Sequence, residues 1–256
     1  MNNEEKREFF QTFGFLLERQ LFGPAEMGAI SADFDERLSR ERQGQPFPGQ
    51  SRQSLYGIVE QSPLLTRLAG DDRIYQTVEN LLGPGFAWLC SEGNLYVGDT
   101  HWHPDGTRLD YPPMKVSLYL DPLTRDTGCL RVLPGSHLLP YHRQLKPVAK
   151  LGMPGPELPA LPVESEPGDV LFANMNLWHA AFCGPPGLRH LALNFAPPPT
   201  TAADLARLRE NYSGTLGLGE RLQKSQPDRL FTDEFLRHPS PRLQSMCAPW
   251  VKMGLT

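Results

Sequence analysis

The chain has 256 residues, of which 39% are hydrophobic, enough for a buried core, while 26 prolines and 23 glycines favour a turn-rich fold over a helix bundle. A formal net charge of −4 with no Lys/Arg cluster argues against nucleic acid or an anionic membrane as partner. Cys90, Cys129, Cys183 and Cys247 are widely spaced with no Cys-x-x-Cys pair, which argues against a zinc site or disulfide framework, and no apolar run approaches the roughly 18 residues of a membrane span.

The start, Met1-Asn2-Asn3-Glu4-Glu5-Lys6, carries neither the basic nor the apolar section of an export signal, so the expected setting is cytoplasmic, with reduced thiols. Residues 4–12 are charged and helix-favouring, and Phe13 to Leu17 predicts a short strand. Gly23-Pro24 opens a helix whose Met27, Ile30, Phe34 and Leu38 follow helical spacing. Arg42 to Gln53 is polar and loop-like, and Asp71-Asp72 then caps a helix carrying Ile74, Val78, Leu81 and Leu82, which Gly83 stops.

From about residue 86 the pattern changes to strands. Met114, Val116, Leu118 and Leu120 alternate with Lys115, Ser117, Tyr119 and Asp121, predicting one apolar face for packing and one polar face for an interior. Gly128–Leu133, Val170–Met175 and His190–Phe195 are further strands, separated by Pro134-Gly135, Pro167-Gly168-Asp169 and Gly184-Pro185-Pro186-Gly187. Residues 201–237 return to a helical pattern. Helices followed by antiparallel strands predict a mainly β fold with helices on the outer face of one sheet. The chain reads as one domain, with a mainly helical part at 1–85, a strand core at 86–197 and a helical extension at 198–256.

The chemistry concentrates in His103-Pro104-Asp105. Side chains at i and i+2 of a strand point the same way, so both residues can reach one metal ion. His179 supplies a third donor, and two imidazoles with one carboxylate leave open positions suited to a non-haem Fe(II) centre. Pro104-Asp105-Gly106 is also a good turn, so a surface loop is the plainer alternative. His101-x-His103 is a rival pair, and His137 is a rival third donor better suited to bracing a turn. Arg189 shares a strand face with Leu191, Leu193 and Phe195, and a guanidinium there needs an anion, either a protein carboxylate or a ligand.

His103-x-Asp105, Gly128-Cys129-Leu130-Arg131-Val132-Leu133-Pro134-Gly135-Ser136-His137, Pro167-Gly168-Asp169 ahead of His179, and Arg189 stand in an order that resembles the phytanoyl-CoA dioxygenase-like family of Fe(II)/2-oxoglutarate-dependent oxygenases, over roughly residues 1–197. The resemblance implies a double-stranded β-helix (jelly roll), Fe(II) held by His103, Asp105 and His179, and 2-oxoglutarate and O₂ as cosubstrates. It implies that Arg189 clamps the far carboxylate of 2-oxoglutarate, with Ser117 and Asn94 as further hydrogen-bonding candidates. Family members often carry a hydroxyl two residues after the second histidine; here that position is Ala181.

With Asp105 present as a carboxylate ligand, hydroxylation is expected rather than halogenation, although desaturation, epoxidation or rearrangement use the same chemistry. The absence of a basic cluster for CoA phosphates points to a natural-product-type small molecule handled by a monomer or homodimer. The alternative is a jelly-roll or cupin-like protein that binds a metal or ligand without catalysis. The Pro-rich segment 140–166 reads either as a lid or as an ordered surface excursion, and with the loops Arg42–Gln53 and Arg108–Pro113 it is where the substrate pocket is expected to be shaped.

Overall fold

The computed structural model of the chain describes residues 1–106, 108–146, 158–223 and 228–254. In chain order the elements are α1 (Asn3–Phe13), β1 (Phe15–Glu18), α2 (Pro24–Glu41), β2 (Gln53–Tyr56), α3 (Pro63–Ala69), α4 (Asp72–Leu82), β3 (Ala87–Tyr96), β4 (Thr100–His103) and β5 (Met114–Tyr119). They continue with β6 (Leu130–Val132), α5 (Tyr141–Gln144), β7 (Leu161–Val163), β8 (Val170–Asn174), β9 (His179–Ala181), β10 (Leu188–Ala196), α6 (Ala202–Leu222), α7 (Asp233–Leu236) and α8 (Pro241–Lys252). These elements form two compact units interleaved along the sequence, one from residues 1–24, 49–52 and 95–190, the other from 25–48, 53–94 and 191–256.

The first unit opens with α1, started by a capping box in which the Asn2 side chain accepts from the Glu5 N–H and the Glu5 carboxylate accepts from the Asn2 N–H. Gly14 ends the helix at φ +83°, and a Cβ there would stand 2.5 Å from His137 Nδ1 and 2.8 Å from Leu177 Cδ1, so backbone and space both require glycine. Phe13 thus completes the helix, and the strand expected from Phe13 begins at Phe15.

Two sheets build this unit: one has the order β4-β9-β6-β7, and in the other β1, β8, β5 and β10 are neighbours. The chain alternates between them, with β4 in the first, β5 in the second, β6 and β7 in the first, then β8, β9 and β10 by turns. That path, with antiparallel pairing of β1 to β8, β5 to β8, β4 to β9 and β6 to both β7 and β9, is that of a double-stranded β-helix whose two sheets stay separate rather than closing into one barrel. Phe15, Val132, Val163, Leu171 and Leu177 pack between the sheets. The alternation expected of β5 holds: Met114, Val116 and Leu118 are fully buried on one face, while Lys115 and Ser117 share the other with their cross-strand partners Ala173 and Leu171.

In the second unit α2 buries Met27, Ile30, Phe34 and Leu38 as their spacing predicts, and Asp71 caps α4 by accepting from the Arg73 N–H. Here β10, β3 and β2 are neighbours. Trp88 lies edge-on to Phe195, its indole donates to Glu60 at 2.9 Å, and Trp250 donates to the Trp88 carbonyl at 2.6 Å. Burial outweighs these hydrogen bonds and raises the Glu60 carboxyl above its ordinary range. Strand β2 and helix α3 escape the sequence reading because four and seven residues are too few for a periodic signal.

The polar loop expected at Arg42–Gln53 is borne out up to Gln53, where β2 begins. The Pro-rich segment expected as a lid contributes α5 and β7, while its residues 147–157 lie outside the described ones. Among the described residues no helix is long and apolar enough to cross a membrane.

Candidate metal centre

His103 is the last residue of β4 and His179 the first of β9, and antiparallel pairing sets them directly opposite, with ring centroids 4.6 Å apart. Strand β9 was not foreseen: the run Val170–Met175 ends in a turn closed by Leu177 N–H to Asn174 C=O, and His179 starts a separate strand in the other sheet. Each imidazole is oriented by its own backbone, with His103 Nδ1 2.5 Å from the His101 carbonyl and His179 Nδ1 2.8 Å from the Leu177 carbonyl. A carbonyl only accepts, so Nδ1 carries a hydrogen and Nε2 is the nitrogen that each ring turns toward the metal site.

Asp105 Oδ1 lies 3.6 Å from His103 Nε2 and 3.8 Å from His179 Nε2, and one ligand atom from each of the three residues falls within 4.8 Å of the others. The expectation that Asp105 shares a strand face with His103 needs correction, because β4 stops at His103 and Asp105 sits in the bend beyond it. That bend is held by the Gly106 N–H donating to the Met175 carbonyl at 2.7 Å, and by Lys115, whose Nζ lies 2.7 Å from Asp105 Oδ2. The close approach depends on glycine: a Cβ at Gly106 would stand 2.7 Å from Asn176 Oδ1.

Electrostatics prepares the donors. Burial works against ionisation of Asp105, yet the Lys115 ammonium, His179 and hydrogen bonds from His103 and Lys115 together hold its carboxyl well below the usual carboxylate range. Burial lowers the His179 pKa, favouring its neutral ring, whereas the interaction with Asp105 raises that of His103. An ionised carboxylate and two imidazole lone pairs converging from three segments fit a divalent first-row metal with positions left open.

The remaining sequence candidates fall in different places. His101 is exposed and offers its carbonyl to His103, and His137 Nε2 contacts the Gln11 carbonyl at 3.1 Å, bracing the α1 terminus. Ser117 is buried on the Lys115 face of β5. Asn94 lies in the second unit, where its amide accepts from Ser54 at 2.8 Å and contacts Glu92 at 3.3 Å, so its carbonyl is committed to a structural network.

Arg189 meets a protein carboxylate, one of the two anions its sequence position left open. Its Nε and one terminal nitrogen lie 3.0 and 2.6 Å from Asp121 Oδ1, and that nitrogen also donates to the Leu120 carbonyl at 3.1 Å. Along β10 its neighbours Leu188 and His190 take the opposite face, Leu188 packing with Tyr119 and Cys129, and His190 Nε2 lying 2.9 Å from Ser117 Oγ. Since Ser117 shares its face with Lys115, which reaches Asp105, the position of β10 turned toward the metal centre belongs to His190. Sequence reasoning passed over His190 and Lys115, although the polar face of β5 already marked Lys115.

With this geometry in place, comparison with known proteins assigns the family. Residues 10–183 match the family model Phytanoyl-CoA dioxygenase (PhyH), a span that includes His103, Asp105 and His179 and stops before β10. The chain belongs to the phytanoyl-CoA dioxygenase family. It is therefore an enzyme of the Fe(II)/2-oxoglutarate-dependent oxygenase superfamily, with iron, 2-oxoglutarate and O₂ as its cofactor and cosubstrates.

No curated protein sequence matches the chain. Among solved structures, HygX from Streptomyces hygroscopicus with nickel and 2-oxoglutarate bound superposes with a TM-score of 0.63 and 22% identity, covering 75% of this chain and 86% of that one. The non-haem α-ketoglutarate-dependent carbocyclase SnoK from nogalamycin biosynthesis gives 0.61 and 19%, covering 80% and 90%. EctD from S. alaskensis with bound Fe gives 0.61 and 22%, covering 75% and 76%. At these identities the likeness establishes the fold, the jelly roll with flanking helices that the family resemblance implied.

Proposed function

We propose that this family member holds Fe(II) through His103, Asp105 and His179 and hydroxylates a small natural-product-type molecule. The convergence of one ligand atom each from His103, Asp105 and His179 within 4.8 Å, with Asp105 Oδ1 3.6 and 3.8 Å from the two Nε2 atoms, carries the reading. When bound, iron supplies the activation of O₂ that couples decarboxylation of 2-oxoglutarate, to succinate and CO₂, to oxidation of the substrate. The chain's own part is orientation. The backbone carbonyls of His101 and Leu177 fix the imidazole tautomers, Lys115 keeps Asp105 ionised, and Gly106 lets the bend carrying Asp105 sit close to Asn176.

A carboxylate at residue 105 supports hydroxylation over halogenation, which in this superfamily needs that position open for halide. The substrate class rests on the absence of a basic cluster for CoA phosphates. It is also supported by the company the fold keeps, since HygX has been seen with hygromycin B bound and SnoK and SnoN belong to nogalamycin biosynthesis.

Anaerobic reconstitution should give one Fe(II) per chain, and adding 2-oxoglutarate and O₂ should produce succinate. His179→Ala should lose both iron and succinate formation while keeping the fold, because loss of one of three protein ligands leaves too few to hold the ion. Full iron occupancy and turnover in His179→Ala would overturn the assignment.

A further inference from the structure

2-Oxoglutarate is a dianion whose chelating end goes to the metal, so its far carboxylate needs donors of its own in a partly desolvated cavity. Arg189 is badly placed for that task. Its guanidinium pairs with Asp121, and it leaves β10 on the face opposite His190. The side turned toward Asp105 carries a different set of donors. Lys115 reaches Asp105 Oδ2 at 2.7 Å and is only 16% exposed, and Ser117 follows it on the same face of β5 in contact with His190 across the strand pair. Tyr119 packs against His190 with tilted rings whose centroids are 4.8 Å apart, and burial raises its pKa far above the ordinary phenol value, so it stays a neutral donor.

We propose that Lys115, together with the Ser117–His190 pair, receives the far carboxylate of 2-oxoglutarate, and that Arg189 is a structural ion-pair partner; the proposal rests on the cosubstrate reading above. An ammonium donates up to three hydrogen bonds, so its pairing with Asp105 does not preclude a second carboxylate. Ala181, on the His179 face of β9, brings no hydroxyl to the cavity, and Ser117 supplies one from the neighbouring sheet.

The test is anaerobic calorimetric titration of 2-oxoglutarate into the Mn(II)-loaded protein, with Mn(II) affinity and the unfolding midpoint measured on each variant. Arg189→Leu should lower the midpoint while binding 2-oxoglutarate within about threefold of wild type. Lys115→Met should weaken 2-oxoglutarate by about 30-fold or more, the lower end of what truncating one partner of a desolvated charge pair costs. His190→Phe, which keeps the ring against Tyr119 but removes the nitrogen, should weaken it by about tenfold, roughly one hydrogen bond to a charged group.

2-Oxopentanoate, which chelates the metal but lacks the far carboxylate, separates binding from a general effect on the centre, and Lys115→Met, which also removes the partner of Asp105, should weaken it far less than it weakens 2-oxoglutarate. Arg189→Leu losing 2-oxoglutarate while Lys115→Met and His190→Phe keep it would overturn the proposal. So would a Lys115→Met variant that weakens 2-oxopentanoate as much as 2-oxoglutarate. A wild-type protein that takes up Mn(II) but binds no 2-oxoglutarate would instead overturn the cosubstrate reading beneath it.

Discussion

Metal uptake at this centre should release one proton, and that proton should come from His103. Asp105 is ionised throughout the neutral range because Lys115, His179 and hydrogen bonds from His103 and Lys115 overcome the burial that opposes its charge. Burial lowers the His179 pKa, which favours its neutral ring. Of the two rings only His103 has its pKa raised, first by its interaction with Asp105, so His103 is the ring that holds a competing proton to the higher pH. The sign follows directly: protonated His103 competes with the metal, so acid weakens binding and alkali restores it.

Below the His103 pKa the apparent affinity should rise about tenfold per pH unit, since one proton exchanged per metal corresponds to about 1.4 kcal/mol per unit, and above it the affinity should level off. Calorimetric titration of Mn(II) in two buffers of different protonation heat, repeated from about pH 5.5 to 8, counts the protons directly. His103→Gln, binding more weakly, should lose the pH dependence. Release of two protons, or an affinity independent of pH across that range, would refute the electrostatic account, because it would mean that His179 is also charged or that neither ring is.

Two glycines test how the scaffold positions the centre. Gly14→Ala would force a side chain into φ +83° and against His137 Nδ1 at 2.5 Å, and should destabilise the chain by about 2–4 kcal/mol, visible as a lower thermal unfolding midpoint with metal affinity little changed. Gly106→Ala would press on Asn176 Oδ1 at 2.7 Å and displace the bend carrying Asp105, so Mn(II) affinity should fall by about tenfold while the midpoint moves little, as titration of the folded variant would show.

Much of this protein is written in local pattern. Helical spacing in Met27, Ile30, Phe34 and Leu38 identifies α2, and the Asp71 cap and Gly83 stop bound α4. Strict alternation from Met114 to Tyr119 separates the buried face of β5 from the face that carries Lys115 and Ser117. His103-x-Asp105, and His179 farther along, announce a metal centre because donor types and order are properties of the chain itself. What the sequence left open is non-local. That His179 begins a separate strand opposite His103 follows from β4–β9 pairing between segments 76 residues apart (179 − 103). The protein carboxylate that Arg189 meets, Asp121, stands 68 residues away, a pairing no local pattern announces. Alternation tells the reader that β10 has two faces, with Arg189 on one and His190 on the other. Which face meets the metal depends on the register against β5, and only the packed sheets hold that information.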